Sequence, residues 1–583
     1  MSIARRGGVG ARRGLLLVPL AGVILGLLAA LQLVPGTMPA PANAHATIVS
    51  TTPQQGASLD TAPSEVRVVF DEPVTFAGLA HPTSVIDERG GRVDAGGGGL
   101  DASRTVLTIP LRASIPDGVY ISSWRVVSAD SHPVGGSIQF GVGVPATATF
   151  EAPLPEPSPV LALAVGVSKG VLYLGMALGF GTLPVALLLR LRGVAWARVR
   201  RSARIGLVVA ALASLGQLAL QFLWTRSATV LPESVSWDDA LGFLATPYSL
   251  LVYVRFGLLV LASAVLWRAG RDGRPLAAPR AAPQIAALAL GVGVVCTVVA
   301  NGHGGGGSPL IFVSTALHAA AAMVWGGGLW VLRVAVGFGF PRSRRDIGEV
   351  PLERMPAWSL LASGCVALLV ISGTVQSVRS IGFPEALIDT RYGAILLVKL
   401  TLVAAALLLG AFSYWALRRE LRADAPQRAA TLRRIRLEAG IVAAIVLVSG
   451  VLSQATPAKD EWAPSVERVT QIGPYEVALR AAPTRIGPQS FRIEVTPPAP
   501  NFPQPERLEV SLGKADGSAG SLQGIPLEIT YRIPEALIPG EPTATTFVSA
   551  AASLPEAGRW QATVTIVVSR MEQYSGTVSY EVY

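Results

Sequence analysis

Asp130 and His132 stand two residues apart in Ser128-Ala-Asp-Ser-His-Pro-Val-Gly-Gly136, just after the alternating run Tyr120–Val127. On a strand or its extended continuation, residues i and i+2 point the same way. A carboxylate and an imidazole can therefore converge on one point, and the Pro and two Gly that follow predict a turn. A third candidate ligand lies far upstream. His45 follows Ala42-Asn-Ala44, which reads as a signal-peptidase site. Cleavage there makes His45 the N-terminus, and its α-amine and ring Nδ1 can then chelate one ion together. Two or three nitrogens with one carboxylate, in a tetragonal arrangement, suit Cu(II) better than other common divalent ions. Asp-x-His-Pro alone reads as a turn with ordinary polar side chains. The histidine directly behind a cleavage site is what favours a metal, because few structural explanations need one there. Before Met176 the chain has only Met1 and Met38, both in the leader. A methionine-type Cu(I) site is thereby excluded from the domain. His81, before Pro82, is either a further ligand or a loop residue.

The elements that must position these residues follow from composition. The chain has 583 residues, 51% hydrophobic and only 15% charged, the balance of a membrane protein rather than a soluble enzyme. Residues 1–44 have the layout of an export signal: Arg5, Arg6, Arg12 and Arg13, the apolar run Leu15–Leu33, then the small-residue site. Either the general secretory or the twin-arginine route would serve. An uncleaved anchor helix is the alternative, disfavoured by Pro35, Gly36, Pro39 and Pro41. Residues 45–150 carry short β-branched and aromatic runs, including Val66–Phe70, Thr105–Ile109 and Ser137–Val142, and predict a small β-sandwich. A Pro-rich linker, 151–159, follows.

Eight apolar segments come next, near 160–190, 203–224, 246–267, 281–301, 309–335, 356–378, 392–417 and 437–456, each long enough to cross a bilayer. Arginine concentrates in alternate loops, while Glu233, Asp238, Asp239, Glu385 and Asp389 lie in the others. The positive-inside rule puts the arginine loops in the cytoplasm and both terminal domains outside the cytoplasmic membrane. The net charge of +10 is thus a topology signal and not nucleic-acid affinity. Residues 457–583 return to soluble composition with half-buried strand patterns, a second β-sandwich. Cys296 and Cys365, both in apolar runs, imply no disulfide framework; buried inert thiols outrank Cu(I) ligands for them.

Lys169, Arg255, His318 and Lys399 fall in the first, third, fifth and seventh segments. Each sits roughly 12–15 Å below the outer end of its helix at about 1.5 Å per residue. The spacing predicts one shared layer of ionisable groups facing a bundle interior or a wet cavity. The alternative is snorkelling toward the surface. No buried carboxylate is read that would neutralise the layer. His303, in the Gly-rich loop Asn301–Ser308, would lie above it.

At these residues a family resemblance becomes specific. His45-Ala46 behind the cleavage site, Thr52-Pro53, Val69-Phe70 with Glu72-Pro73, and Ser128–Gly135 resemble the CopC family of copper-binding proteins, small Greek-key β-barrels or sandwiches. The resemblance implies Cu(II) ligation by the amine and ring of His45, by Asp130 and by His132. Gly302-His303, Leu317-His318, Val324–Leu329 and Tyr392-Gly393 with Val398–Leu400 resemble CopD, the membrane partner often fused to CopC. Leu554–Trp560 is similar to the YtkA-like domains sometimes appended to such fusions. The resemblance implies a bacterial inner-membrane protein, not an enzyme, that binds Cu(II) outside and takes part in copper uptake or homeostasis. Its expected partners are copper ion, membrane lipid and a copper chaperone outside the membrane. No Gly-x-x-x-x-Gly-Lys loop suggests ATP-driven pumping. Two rivals stand beside this reading. One is a copper buffer whose helices merely anchor it. The other is a haem-binding redox protein using His303 and His318, with the cationic layer holding propionates. Oxidation by an N-terminal histidine chelate is disfavoured, because Asp130 would occupy a position that such chemistry needs open.

Overall fold

The computed structural model describes residues 48–583 apart from 54–56, 71–72, 77–81, 129–132, 145–157, 228–236, 269–280, 303–308, 338–353, 423–427, 486, 516–524, 528, 535–543, 550–551 and 555–556. The first domain is built of β1 (Ile48–Thr52), β2 (Ser58–Leu59), β3 (Glu65–Phe70), β4 (Val74–Phe76), β5 (Thr83–Asp87), β6 (Gly99–Leu100), β7 (Val106–Pro110), β8 (Gly118–Ser128) and β9 (Pro133–Val142). One sheet has the order β1-β3-β7-β6; the other has β2-β9-β8-β4, with β5 also on β8. Alternate residues of β3 and β7 are buried, as their sequence pattern requires. Val68, Phe70, Leu107, Tyr120, Trp124 and Phe140 meet between the sheets.

One local expectation fails. Pro133–Gly136 is not a turn but the start of β9, paired with Trp124–Val127. The glycines serve packing: a Cβ at Gly136 would lie 2.4 Å from the Trp124 ring. The ring covers the strand at that point, so the connection is confined to residues between Ser128 and Pro133.

Among the described residues eight helices are long and apolar enough to cross a membrane: Pro159–Leu188, Gly193–Arg226, Pro247–Arg268, Ala282–Ala300, Pro309–Gly337, Pro356–Ile381, Arg391–Ala416 and Ala429–Leu452, here spans 1 to 8. Helices satisfy their own backbone, which lipid cannot do. Leu163, Leu212, Val292, Leu360 and Leu408 are all more than half exposed, a surface suited to hydrocarbon and not to water. The protein is a multi-span membrane protein. Spans 2 and 8 begin about ten and eight residues earlier than the apolar runs suggest. Arginine and leucine are strong helix formers, so the helix continues into the interface, where arginine can snorkel.

Spans pack in the series 4-3-2-1-8-7, and span 5 lies against 1, 4, 6 and 8. Glycines set the closest approaches. A Cβ at Gly450 would sit 2.3 Å from the Gly170 nitrogen and 2.5 Å from the Gly166 oxygen. Span 1 meets span 5 in the same way at Gly181 and Gly327, where residues Ala177–Gly181 form one turn of π-helix. Without a hydrophobic drive between helices in lipid, such small-residue seams supply the packing.

The C-terminal domain holds β10 (Val466–Ile472), β11 (Tyr475–Ala482), β12 (Gly487–Thr496), β13 (Arg507–Lys514), β14 (Ile525–Leu527), β15 (Ile529–Pro534), β16 (Thr545–Ser549), β17 (Ala552–Leu554), β18 (Gly558–Ser569) and β19 (Glu572–Val582). Its sheets run β10-β11-β12-β16-β15 and β14-β13-β18-β19, over one core containing Tyr475, Phe491 and Trp560. A short helix, Ala458–Glu461, ties it to the bundle. The Glu461 carboxylate accepts hydrogen bonds from the Arg391 and Tyr392 N–H groups at 3.0 and 3.2 Å, capping the start of span 7. Trp462 packs at a tilt beside Phe383 and meets Tyr583 edge to face.

Two outcomes follow. Gly450→Val should force spans 1 and 8 apart and cost about 1–3 kcal/mol or more. It would appear as earlier thermal unfolding or aggregation in detergent, whereas Gly257→Val, with open space around it, should change neither. The second concerns Asp94, buried in the first domain, whose carboxylate accepts from the Val85 N–H and from Arg92 Nε, both at 3.1 Å. Burial opposes its ionisation, but the Arg92 and Val85 hydrogen bonds and the Arg92 charge outweigh that and hold the carboxyl below its usual value. A lowered carboxyl stabilises the fold above the ordinary carboxylate range and loses that contribution as pH falls through the lowered value. Asp94→Asn in a fragment carrying the first domain should cost about 1–2 kcal/mol at neutral pH. Denaturant titrations should show the gap closing in acid; a gap independent of pH would contradict the assignment.

Candidate metal sites and the polar interior of the bundle

His45, Asp130 and His132 lie outside the described residues, as do His81 and His303. The strands that flank the first three are described, and their registers fix where the chain leaves the sandwich. Ile48 at the start of β1 pairs with Phe70 at the end of β3. Val74 at the start of β4 pairs with Ser128 at the end of β8. Phe70 and Val74 are pinned side by side, their N–H groups donating to the Thr105 and Arg104 carbonyls at 2.8 and 2.9 Å. Val127 pairs with Pro133 across the hairpin. The chain before β1, the β3–β4 crossing and the β8–β9 connection therefore all depart from one end of the domain.

Arg125 stands near that end and was assigned no role from sequence. It is 9% exposed, and its Nε has no hydrogen-bond partner among the described residues. Burial pulls its guanidinium down to about 10, so it stays charged at neutral pH. The backbone N–H of Arg125 donates to the Pro82 carbonyl at 2.7 Å. A fixed positive charge thus lies at the base of the hairpin. Its sequence signal is the one charged residue in strand β8.

In the bundle, the expected layer divides into two groups. Arg255 is 2% exposed. Its Nε and Nη2 donate to the Thr297 hydroxyl and carbonyl at 3.2 and 3.1 Å, and Nη1 donates to Gln217 Oε1 at 3.2 Å. The Thr297 hydroxyl spends its own hydrogen on the Val294 carbonyl at 2.7 Å, leaving its lone pairs for arginine. The guanidinium clamps spans 2, 3 and 4 through neutral acceptors. Lys169 Nζ donates to the Ser453 carbonyl at 3.5 Å, joining spans 1 and 8. Tyr173 lies between, with its hydroxyl on Ser453 and within electrostatic reach of Arg255.

The second group is His318, Ser372 and Lys399, on spans 5, 6 and 7. His318 Nδ1 is 2.9 Å from Ser372 Oγ, and that hydroxyl donates to the Leu368 carbonyl at 2.5 Å. The hydroxyl hydrogen is therefore taken, and the contact requires Nδ1–H to donate. Nε2 is left with its lone pair, the form in which imidazole binds a metal or accepts a proton. Lys399 lies within electrostatic reach of the ring.

Among the described residues no carboxylate joins either group at this depth. Glu385, Asp389 and Glu461 line a cleft of about 510 Å³ where the C-terminal domain meets the bundle, at the rim and not inside. One carboxylate was missed: Glu438 on span 8 is 8% exposed. The apolar run near 437–456 predicts Glu438 at a helix end. The earlier start at Ala429 puts it nine residues inside. Cys296 and Cys365 are free thiols, the latter buried. Among the described residues no three His, Cys, Asp or Glu side chains group closely enough to hold a metal ion.

Comparison with known proteins agrees with both halves of this architecture. The CopC domain family matches residues 48–143, and the family described as copper resistance protein D (CopD) matches residues 352–452, which cover spans 6 to 8. The chain is 26% identical over 480 residues to the copper transport protein CutJ of Bacillus subtilis (strain 168), covering 79% of this chain and 83% of that one. It is 36% identical over 110 residues to copper resistance protein C of Pseudomonas syringae pv. tomato, 17% of this chain and 82% of that one. The crystal structure of CopC from Methylosinus trichosporium OB3b matches at 26% identity, 17% of this chain and 93% of that one, with a TM-score of 0.15. The chain belongs to the copper resistance and copper transport proteins in which a CopC domain and a CopD domain are joined in one polypeptide.

Proposed function

We propose that this protein captures Cu(II) outside the cytoplasmic membrane and carries it inward. Once the leader is removed, His45 binds through its amine and ring, Asp130 supplies a carboxylate and His132 a second ring. The observation that carries this reading is the shared end of the sandwich: Ile48, Phe70, Val74, Ser128 and Pro133 bracket all three positions. His45 is only three residues from Ile48, and the Ser128–Pro133 connection is short. The names of the relatives, one a copper transport protein and one a copper resistance protein, support the cargo.

The arginine loops support a topology with both terminal domains outside, in contact with lipid only through the bundle. A copper chaperone on that side would be the donor. Within the bundle, His318 is the candidate copper contact, because its Nε2 is left free by the Ser372 hydrogen bond; His303 precedes it on the way in. Lys399 tunes that ring, and Arg255 and Lys169 hold the helices. A carboxylate-lined cleft at the rim, with Glu385 and Asp389, favours cations at the mouth.

N-terminal sequencing of the mature protein should begin at His45, and the EPR spectrum of its Cu(II) form should show a tetragonal site with nitrogen ligands. Asp130→Ala or His132→Ala should each weaken Cu(II) binding by orders of magnitude with the fold intact. Unchanged affinity in both would remove them from the site. In cells, His318→Ala should lower copper accumulation while Cu(II) binding by the first domain stays as in the wild type. Wild-type accumulation in that variant would leave the bundle as an anchor for a copper buffer.

A further inference from the structure

Glu438 lies in the membrane-crossing part of span 8. Fourteen residues separate it from Leu452, about 21 Å along the helix, so it sits in the half nearer the arginine loops. Across the interface it faces Gly410 of span 7, where a Cβ would come within 3.1 Å of Oε1. A glycine at that point makes room for the carboxyl. Among the described residues no hydrogen bond or ion pair reaches Glu438, and no charged group acts on it.

The charged and titratable groups on the surrounding elements are engaged elsewhere. Arg434, one turn away on span 8, has its guanidinium over the Phe412 ring at 6.0 Å. Arg333 of span 5 lies over Trp330 and Arg418 after span 7 lies over Tyr414, both at 4.5 Å. Lys169, His318 and Lys399 are in the opposite half. A lone ionised carboxylate in these surroundings is costly, and ionisable groups kept inside a membrane mark ion and proton paths. Taking up a proton removes the charge.

The helix geometry links this position to the other polar group. Lys399 and Gly410 are eleven residues apart, which at about 100° per residue returns to within roughly 20° of the same face, about 16 Å along the axis. Ala406, fully buried, lies on that face between them. On span 6, Cys365 lies two turns from Ser372, again on one face. Trp325, Cys365, Ala406 and Val442 belong to one apolar core. Spans 5 to 8 thus enclose two polar stations separated by an apolar stretch.

We propose that Glu438 is a proton-binding site of the membrane domain, loaded and unloaded from water at the arginine-bearing face, and that copper passage by way of His318 is coupled to that proton. The coupling rests on the transport reading above; the proton site does not. The step is carboxylate plus proton to carboxyl and back, with no bond to copper.

Infrared difference titration of the purified full-length protein tests the site. The wild type should show a buried-carboxyl C=O band that titrates, and Glu438→Gln should lack it. The same band in Glu438→Gln would overturn the proposal. Should that variant not fold, Gly410→Ala pushes a methyl toward Oε1 and should shift the band or its midpoint; an unshifted band would count against the site. In proteoliposomes containing a pH dye and given CuCl2, the wild type should move protons with copper, and Glu438→Gln should lose that proton movement. Wild-type proton movement in the variant would overturn the coupling. A titrating band in a protein that moves no copper would leave the proton site standing and sink the transport reading instead.

Discussion

Inside a bilayer a polar side chain has no water to fall back on, and an ionisable group there must find its partners in the protein itself or give up its charge. Arg255 shows one answer. Its planar fork is met by a hydroxyl, a carbonyl and an amide oxygen from two neighbouring helices. The charge remains, but its donors are satisfied and the three helices are fixed relative to one another. Arginine suits that task because its donors are held in a rigid fork. His318 shows a second answer. Neutral imidazole needs only one donor partner, which Ser372 provides, and the remaining lone pair is free for chemistry. Glu438 and Lys399 have neither kind of answer among the described residues, and Glu438 is the one carboxylate of the two, alone in the half nearer the arginine loops.

The soluble end of the problem is solved by topology. A β-sandwich in which β1 begins where β3 ends, and β4 begins where β8 ends, collects its chain exits at one end. The chain before β1 and the β8–β9 connection, far apart in sequence, both leave the sandwich there. The Trp124 ring over Gly136 keeps β9 flat against β8 up to the hairpin. Arg125, held in the same strand pair, adds a buried positive charge that any cluster of ligands nearby must accommodate.

Much of this was legible in sequence, for identifiable reasons. Alternation in β3, β7, β11 and β18 reports burial on one face, and apolar length reports the spans. The Pro-Val-Gly-Gly segment misled because turn residues and strand glycines share a composition. Only the position of the Trp124 ring distinguishes them. Glu438 was missed because apolar composition marks the lipid-facing stretch of a helix, while the helix itself runs on through Arg428–Arg436. The four ionisable groups expected as one layer divide into two groups by their packing. Depth follows from position along each span, whereas neighbours follow from packing order, and nothing in the spacing places Arg255 beside span 4 or Lys399 beside span 5.

Packing also divides the bundle into unlike halves. In span 1, 61% of the apolar window is buried within the protein, against 11% in span 7. Span 1 is locked by backbone-to-backbone glycine contacts with spans 5 and 8, and the Arg255 clamp holds spans 2 to 4. Contacts of that kind tolerate little movement, since neither a glycine seam nor a satisfied guanidinium can shift without losing partners. Spans 6 and 7 have no comparable seam between them among the described residues, yet they carry Ser372, Cys365, Lys399 and Gly410. A path through the membrane needs polar groups that can change partners, and those groups belong where the helices are least tightly held. Spans 1 to 5 and 8 then form the tightly seamed frame beside which spans 6 and 7 lie, and Arg255 within that frame is structural because Thr297 and Gln217 meet its donors.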